Sequence, residues 1–570
     1  MKSDQLPVIL AADVETKQAR LQQALKEAGL CLPPEADFQD QLLRVMAFSD
    51  FVAESLVSDP ALSADLWSNG DLQKTATPGQ THARLATALE GTPGVEDLAV
   101  RLRRFRRREM VRIAWRDLAG LADLAETTAD LSALAEACLD HALAWLYRWQ
   151  SAVQGVPTGA DGRPQVLVVL GLGKLGAGEL NFSSDVDLIF AYPGVGETDG
   201  TDRRVANDDF FTRLARSLIR VIGHPTAEGF VFRVDLRLRP FGDNGPLVMS
   251  FDALESYYQE QGRDWERYAW IKARAVAGDR AAGEDLLRRL QPFVYRRYLD
   301  FGAFESLRTM KLMITQEVAR KGLERNIKLG PGGIREIEFF GQIFQLIRGG
   351  VTPDLQERGI RQVLAVLAER GTISKETRRE LDAAYVFLRN VEHRLQEAAD
   401  QQTHDVPRDD AGMTRLAAAM GYDTAAAFTA ALDGHRHAVH GHFQMLLDAP
   451  DEESHESVLA RELDTIWTQA ADATRASELL ARIGYGEPDE VLRLLDHLRS
   501  DTETRALSLT GRQRLDRLIP LVLREASQAT HPLSALQRTL DLVRTVERRT
   551  SYLALLLEYP AALRRLVKLA

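Results

Sequence analysis

Two aspartates separated by a single residue stand at the start of an apolar run, in the segment SSDVDLIFAYP. Successive side chains of a strand point to opposite faces, so we expect Asp185 and Asp187 on one face and Val186 on the other. Two unit charges about 4 Å apart repel by roughly 4 kcal/mol at an effective dielectric of 20. Because such a pair costs stability, it indicates a chemical role.

A third aspartate, Asp235, lies in a later strand-like segment, FRVDLRLRP. If the two strands are neighbours, three carboxylates converge on one face of the sheet. Hard divalent cations bind carboxylate oxygens and keep water or substrate phosphate as further ligands. The pattern therefore predicts that Asp185, Asp187 and Asp235 hold Mg²⁺, with Mn²⁺ as an alternative ion. The other interpretation is an exposed edge strand whose acids face water.

Groups that could approach a phosphate precede the acids, in GLGKLGAGELNFSS. The segment lacks the Gly-Lys-Ser/Thr spacing of a P-loop and is a poor dinucleotide fingerprint. Glycines let backbone amides come close to phosphate oxygens, and hydroxyls can donate to the same oxygens. The lysine could equally be a solvated loop residue. The candidate phosphate-binding residues are Gly173, Lys174, Gly176, Ser183 and Ser184.

Further charged residues have two interpretations each. The alternation predicts Arg237 and Arg239 on the face of Asp235, where they could bind phosphate bidentately or pair with the acids. In GGIREIEFF, Glu336 and Glu338 are candidates either for contacting the substrate or for supporting the residues that contact it. His393 has no metal-ligand partner at useful spacing, and we expect a hydrogen-bonded structural histidine.

Hydropathy patterning divides the chain into four regions. Residues 1–154 have helical periodicity, and the arginine-rich helix around residues 101–116 is expected to present a solvated charged face while Leu102, Phe105, Met110 and Ile113 face the core. Residues 155–345 combine strand-like runs with a helix and form the expected catalytic domain, with helical insertions. Residues 346–450 predict a helical bundle, and residues 451–570 predict a helical linker or regulatory region.

Bulk composition is that of an ordinary globular protein, with 45% hydrophobic and 27% charged residues. The net charge of -11 and the absence of a basic, aromatic-rich surface disfavour nucleic acid as a partner. The two cysteines predict a reducing compartment without disulfides. The apolar runs are too short to span a membrane. We therefore expect a cytoplasmic protein with no membrane partner.

The motifs together resemble a known family. A strand, a glycine turn, Asp-x-Asp and a later strand acid are similar to the DNA polymerase β superfamily of nucleotidyltransferases. GLGKLGAGELNFSSDVDLIF, VDLRLRPFG, GRDWERYAWIKARAVAGD, GPGGIREIEFFGQ and LRNVEHRLQ, in this order, resemble the glutamine synthetase adenylyltransferase/adenylyl-removing enzymes. The resemblance implies a mixed α/β, predominantly helical fold, in which a polymerase β-like nucleotidyltransferase sheet is flanked by helical domains.

The same resemblance implies an activity. Family members carry two nucleotidyltransferase halves, and ELNFSSDVDL is more similar to the adenylyl-removing half. The implied reaction is phosphorolysis, in which phosphate attacks the adenylyl-tyrosine of glutamine synthetase and releases ADP. The implied partners are adenylylated glutamine synthetase and, as a further expectation, a PII signal protein.

Two other functions stay open at this stage. The same aspartates could transfer AMP from ATP to a protein tyrosine, or the chain could be a non-catalytic regulatory module. One glycine-loop Asp-x-Asp motif is present, and FVAESLVSDPALSADL from Phe51 resembles YLALLLEYPAALRRL from Tyr552. We therefore expect a truncated polypeptide whose second half would begin near residue 552.

Overall fold

The structure is a computed structural model that describes residues 7–200, 204–296, 320, 322–447, 462–468, 472–507, 509–546, 552–553, 556–557 and 560–569. The predicted mixed α/β, predominantly helical fold class is confirmed. The described residues form two compact units that separate near residue 444. The repeat expected from Tyr552 lies partly outside the described residues, and the fourfold division of the chain stays a prediction.

Helices account for most of the described chain. In the first unit they are α1 (Val8–Ala28), α2 (Ala36–Phe48), α3 (Asp50–Ser58), α4 (Ala61–Ser68), α5 (Gln80–Ala88), α6 (Val95–Leu118), α7 (Leu124–Gln154), α8 (Gly173–Ala177), α9 (Asn207–Gly223), α10 (Phe251–Glu260), α11 (Asp264–Trp270), α12 (Arg280–Val294), α13 (Ile334–Arg348), α14 (Ile360–Glu369), α15 (Lys375–Glu397), α16 (Asp410–Ala419) and α17 (Ala425–Leu447). The second unit contains α18 (Ala473–Arg482), α19 (Pro488–Ser500), α20 (Thr502–Arg505), α21 (Leu509–Ser527), α22 (Pro532–Val546) and α23 (Pro560–Leu569). None of the described helices is long and apolar enough to cross a membrane.

Two sheets contain the strands of the described residues. The strands are β1 (Pro157–Gly159), β2 (Val168–Gly171), β3 (Val186–Tyr192), β4 (Gly196–Thr198), β5 (Val234–Asp235), β6 (Val248–Ser250) and β7 (Arg274–Gly278). β1 and β4 form a two-stranded ribbon, and the other five form one sheet in the order β5-β3-β2-β7, with β6 also paired to β3. β2 is antiparallel to β3 and β7, whereas β5 and β6 are parallel to β3.

One hydrophobic core joins the N-terminal helices to the sheet. Leu102 and Met110 of α6 belong to the same buried cluster as Val169 of β2 and Phe190 of β3. The 31-residue helix α7 begins at Asp123, whose side chain accepts the N–H of Glu126 as an N-cap. The same core therefore extends from the N-terminal helices to the sheet.

The arginine-rich helix α6 differs from the expectation of a solvated face. Leu102, Phe105, Met110 and Ile113 are buried as predicted, but Arg103, Arg106, Arg112 and Arg116 are buried as well. Acids neutralise three of them: Arg106 pairs with Asp400, Arg112 bonds Asp130 at 2.8 Å, and Arg116 pairs with Glu126. The guanidinium of Arg103 donates to backbone carbonyls instead, including that of Gly229 at 2.8 Å. The solvated-face interpretation is therefore wrong for these four residues, because each finds its partners inside the fold.

The strand predicted around Asp235 is much shorter than expected. Asp235 accepts the backbone N–H of Arg237 at 2.9 Å, and this side-chain-closed turn leads the chain away from the sheet. Pro240 follows and can donate no ladder hydrogen bond. Because strand alternation ends at Asp235, the prediction that Arg237 and Arg239 share a strand face with it is wrong.

Candidate functional site

Asp187 and Asp235 lie side by side at one end of the sheet. They are register partners on the parallel strands β3 and β5, so their side chains stand on the same face. Asp185 precedes β3 by one residue. The predicted neighbouring strands are thus present, and they place the second and third aspartates opposite each other.

The glycine turn between β2 and β3 closes directly over Asp187. Gly173 has φ +54°, and a Cβ built on it would lie 2.5 Å from Asp187 Oδ2. A side chain at this position would occupy the space of the carboxylate, and the left-handed backbone adds strain for any other residue. Glycine here is explained by the close approach of backbone to Asp187.

Asp187 differs from its two neighbours in having no partner among the residues that the structure describes. Asp185 accepts from Arg233 at 2.9 Å and from Gln402 at 3.2 Å. Asp235 is paired with the exposed Arg237, which lowers its pKa through that hydrogen bond. Among the described residues, none donates a hydrogen bond to the carboxylate of Asp187 or forms an ion pair with it. Burial, reinforced by the charge of Asp235, raises the pKa of Asp187 to about 6.

The carboxylates of the three aspartates have the chemistry that a metal ion requires, although the described residues do not form a complete set of metal ligands. Within the described part of the chain, no group of three or more His, Cys, Asp or Glu side chains is arranged to hold a metal ion. Asp185 and Asp235 are instead turned toward arginines. The partnerless carboxylate of Asp187, beside a second carboxylate, is the donor chemistry that a hard cation requires.

Several of the candidate phosphate-binding residues have side chains that face the protein interior. Ser183 is buried, donates to the carbonyl of Asp400 at 3.1 Å and accepts from Arg233 at 2.9 Å. Ser184 donates to the side chain of Asn181. Both hydroxyls therefore hold the turn itself.

Lys174 also points inward. Its ammonium donates to Glu392 at 2.8 Å and to Asn181 at 2.8 Å. Burial lowers the pKa of Lys174 to about 7, against the attraction of Glu392. The lysine that looked like a phosphate ligand or a solvated loop residue is a buried partner of helix α15.

Gly176 is packed between two backbone segments. A Cβ on Gly176 would lie 2.0 Å from the carbonyl oxygen of Lys272 and 2.5 Å from that of Gly171. Its glycine identity is explained by this close packing of the turn against β7.

We expect Gly176→Ala to lower thermal stability more than Gly178→Ala, because the first methyl group meets fixed backbone atoms. Gly178 has φ +70° with no heavy atom within 4 Å of the added Cβ, so alanine there costs only about 1 kcal/mol of backbone strain. The clash at Gly176 should cost about 3 kcal/mol. Differential scanning calorimetry of the two variants checks this, and equal melting temperatures would contradict the packing explanation.

Arg239 is confined to its own turn. Its guanidinium donates to the carbonyls of Leu236 at 2.9 Å and Asp243 at 3.0 Å. Arg237, by contrast, is exposed and contacts both oxygens of Asp235. Of the two predicted phosphate-binding arginines, the structure leaves only Arg237 open to solvent beside the aspartates.

Helix α15 supplies contacts that the sequence reading did not assign to the site. Glu392 is fully buried and receives Lys174 at 2.8 Å, Arg389 at 3.1 Å and His404 at 3.1 Å. One turn later, Gln396 accepts the backbone N–H of Ser183 at 3.1 Å. The helix thus fixes the glycine turn at both ends.

The predicted structural histidine is present on the same helix. His393 is buried and bonds Asp117 at 3.1 Å, and burial lowers its pKa in spite of that partner. Glu338 is also buried, and it pairs with Lys272 at 2.8 Å. Burial alone would raise the pKa of Glu338, but Lys272 and Arg335 lower it to about 2. Glu338 is therefore an internal counter-ion.

A glycine turn over Asp187, with Asp185 just before the same strand and Asp235 in register on the next, is the arrangement predicted for a nucleotidyltransferase site. Two family models match the chain. One, described as glutamate-ammonia ligase adenylyltransferase, matches residues 39–289, which include all three aspartates. The other, described as GlnD PII-uridylyltransferase, matches residues 308–447.

Curated relatives agree with these matches. The chain is 52% identical over 566 residues to the bifunctional glutamine synthetase adenylyltransferase/adenylyl-removing enzyme of Nitrosococcus oceani, covering 99% of this chain and 58% of that protein. It is 48% identical over 573 residues to the enzyme of that name from Thioalkalivibrio sulfidiphilus, with coverage of 99% and 58%. The resemblance predicted from the motifs is confirmed, and the chain spans little more than half the length of these relatives.

Proposed function

We propose that this chain catalyses phosphorolytic deadenylylation of glutamine synthetase. An oxygen of inorganic phosphate attacks the phosphorus of adenylyl-tyrosine, the bond from phosphorus to the tyrosyl oxygen breaks, and the products are ADP and an unmodified tyrosine that takes up a proton. The supporting observation is the partnerless Asp187 carboxylate, set opposite Asp235 under the glycine turn. The names of the relatives supply the substrate, and the ELNFSSDVDL motif favours removal over transfer.

The reaction needs no nucleophile from the protein, because phosphate itself attacks. Asp187, with Asp185 and Asp235, would hold Mg²⁺ or Mn²⁺, and a bound ion would neutralise charge on the phosphoryl oxygens and the leaving tyrosinate. Arg237 is exposed, so its ion pair with Asp235 contributes little stability and is readily exchanged. The residues around the turn act by positioning, which is where most of the catalysis in phosphoryl transfer arises.

The partners of this reaction belong to the proposal. Adenylylated glutamine synthetase is the macromolecular substrate, phosphate and ADP are the small substrate and product, and the reaction takes place in the cytoplasm. A PII signal protein is a further proposed partner, supported by the resemblance alone. Transfer of AMP from ATP is the second candidate function, since the relatives' names include both activities.

We expect the chain to release ADP from adenylylated glutamine synthetase when phosphate and Mg²⁺ are supplied without ATP. The same chain should not add AMP to unmodified glutamine synthetase when ATP is supplied. Chromatography of the nucleotides and mass spectrometry of the synthetase check both directions. AMP transfer from ATP, with no phosphate-dependent release of ADP, would contradict the proposal and support a transferase. If the chain catalyses neither reaction, that result would contradict the proposal and favour a regulatory module.

A further inference from the structure

Most cations near the three aspartates are already neutralised by a carboxylate. Arg233 pairs with Asp185, and Arg237 pairs with Asp235. The buried ammonium groups behind the glycine turn are paired too: Lys174 with Glu392 and Lys272 with Glu338, each at 2.8 Å. These cations are already paired with the protein's own carboxylates, so they attract an incoming anion only weakly.

Lys328 is the exception in this neighbourhood. It lies in the segment NIKLGPGG, half-buried, before helix α13. Among the described residues, none places a carboxylate within ion-pairing distance of its ammonium. Lys328 directly follows Ile327, whose backbone N–H bonds the stretch of chain that contacts Asp185.

The backbone of this lysine is held firmly. The side chain of Asn326 accepts the N–H groups of Lys328 at 3.1 Å and Leu329 at 2.9 Å. The carbonyl of Lys328 accepts from the N–H of Arg335 at 3.0 Å, in the first turn of α13. The fold therefore fixes the point from which the side chain of Lys328 extends.

The segment next to this loop reaches the site directly. The N–H of Ile327 donates to the carbonyl of His404 at 2.9 Å, and Gln402, two residues earlier, donates to Asp185 at 3.2 Å. One short stretch therefore joins the Lys328 loop to the aspartates. The geometry brings to the edge of the aspartate site a loop that carries Lys328, whose ammonium has no carboxylate partner among the described residues.

We propose that Lys328 binds the attacking phosphate through its ammonium group. The inference rests on the proposed phosphorolysis and names a residue for its anionic substrate. A phosphate approaching the partnerless carboxylate of Asp187 is repelled, and a nearby cation offsets that repulsion. Lysine binds phosphate as a point charge, and an unpaired lysine has no internal ion pair to break first.

The test compares Lys328→Gln with a matched surface variant, Lys375→Gln, which removes an exposed lysine at the start of α15. We expect Lys328→Gln to raise the KM for phosphate about 10- to 100-fold, the loss typical of one charge-assisted hydrogen bond. The KM for adenylylated glutamine synthetase should change less than about twofold, and Lys328→Arg should recover part of the phosphate affinity. Lys375→Gln should leave both constants unchanged.

Equilibrium dialysis with labelled inorganic phosphate separates this inference from the proposed function. If the unmutated chain releases no ADP, the phosphorolysis proposal fails, while weaker phosphate binding by Lys328→Gln still supports the lysine site. If the unmutated chain is active, and Lys328→Gln keeps its phosphate KM and its phosphate affinity within about twofold, the inference is overturned. Calorimetric melting of each variant shows that it is folded.

Discussion

Asparagine in place of Asp187 should abolish phosphate-dependent ADP release and at the same time make the protein more stable at neutral pH. The activity should fall at least about 100-fold, the scale of losing one preorganised electrostatic group in a reaction site. The stability should rise because the ionised carboxylate is buried without a partner beside Asp235. The difference between its ordinary pKa of 3.8 and about 6 corresponds to about 3 kcal/mol of destabilisation.

The sign of the stability effect follows from proton binding. Between pH 4 and 6 the folded chain binds a proton at Asp187 that the unfolded chain has released, so stability falls as pH rises through this window. The destabilisation is complete above about pH 6. Asp187→Asn should therefore melt higher than the unmutated chain above pH 6, and the difference should disappear below about pH 4.

The control for this experiment is Asp243→Asn, which removes an exposed aspartate in the turn after β5. It should leave ADP release and melting temperature nearly unchanged. An Asp187→Asn protein that is fully active would refute the site, and one that is inactive but less stable would refute the electrostatic account of Asp187.

Glutamine in place of Glu392 should cause the largest loss of stability. Glu392 is fully buried and neutralises Lys174 and Arg389, while His404 makes a third contact. Burial alone would raise the pKa of Glu392, but Lys174 and the other two partners hold it well below its usual range, so the residue is charged at neutral pH. Removing one member of a buried ion pair typically costs about 3–5 kcal/mol because the remaining charge is left uncompensated.

Glu376→Gln is the matched control, because Glu376 is an exposed acid on the same helix and pairs with the exposed Arg379. Its effect should stay within about 0.5 kcal/mol. Calorimetric melting of both variants checks the prediction. A Glu392→Gln protein that melts within a degree or two of the control would show that the buried network does not hold the glycine turn.

Local pattern was sufficient to predict which strand acids lie opposite each other. Alternation within DVDLIF and VD placed the acids on one face, and the structure pairs Asp187 with Asp235 in register. The length of the later strand could not be read this way, because an Asp side chain that accepts a backbone N–H two residues on ends the strand. The alternation of FRVDLRLRP looks the same with or without that hydrogen bond.

Residues whose partners are distant in sequence were harder to predict. Lys174 resembles a loop lysine until Glu392, 218 residues later, is placed beside it. The hydroxyl of Ser183 is likewise used by Asp400, 217 residues away. The signal for Lys328 was a lysine immediately before LGPGG, but only the folded chain joins its loop to the stretch that contacts Asp185. Long-range ion pairing decides which of several similar lysines remains available to a substrate.

Labelled phosphate shows directly whether this chain removes AMP by phosphorolysis. Adenylylated glutamine synthetase would be incubated with the chain, Mg²⁺ and radiolabelled inorganic phosphate, and the nucleotides separated. Phosphorolysis predicts that each released adenylyl group appears as ADP carrying the label in its β-phosphate. Release of unlabelled AMP would indicate hydrolysis. Adenylyl groups that stay on the synthetase would show that this chain does not remove them. Either result would contradict phosphorolytic deadenylylation by this chain.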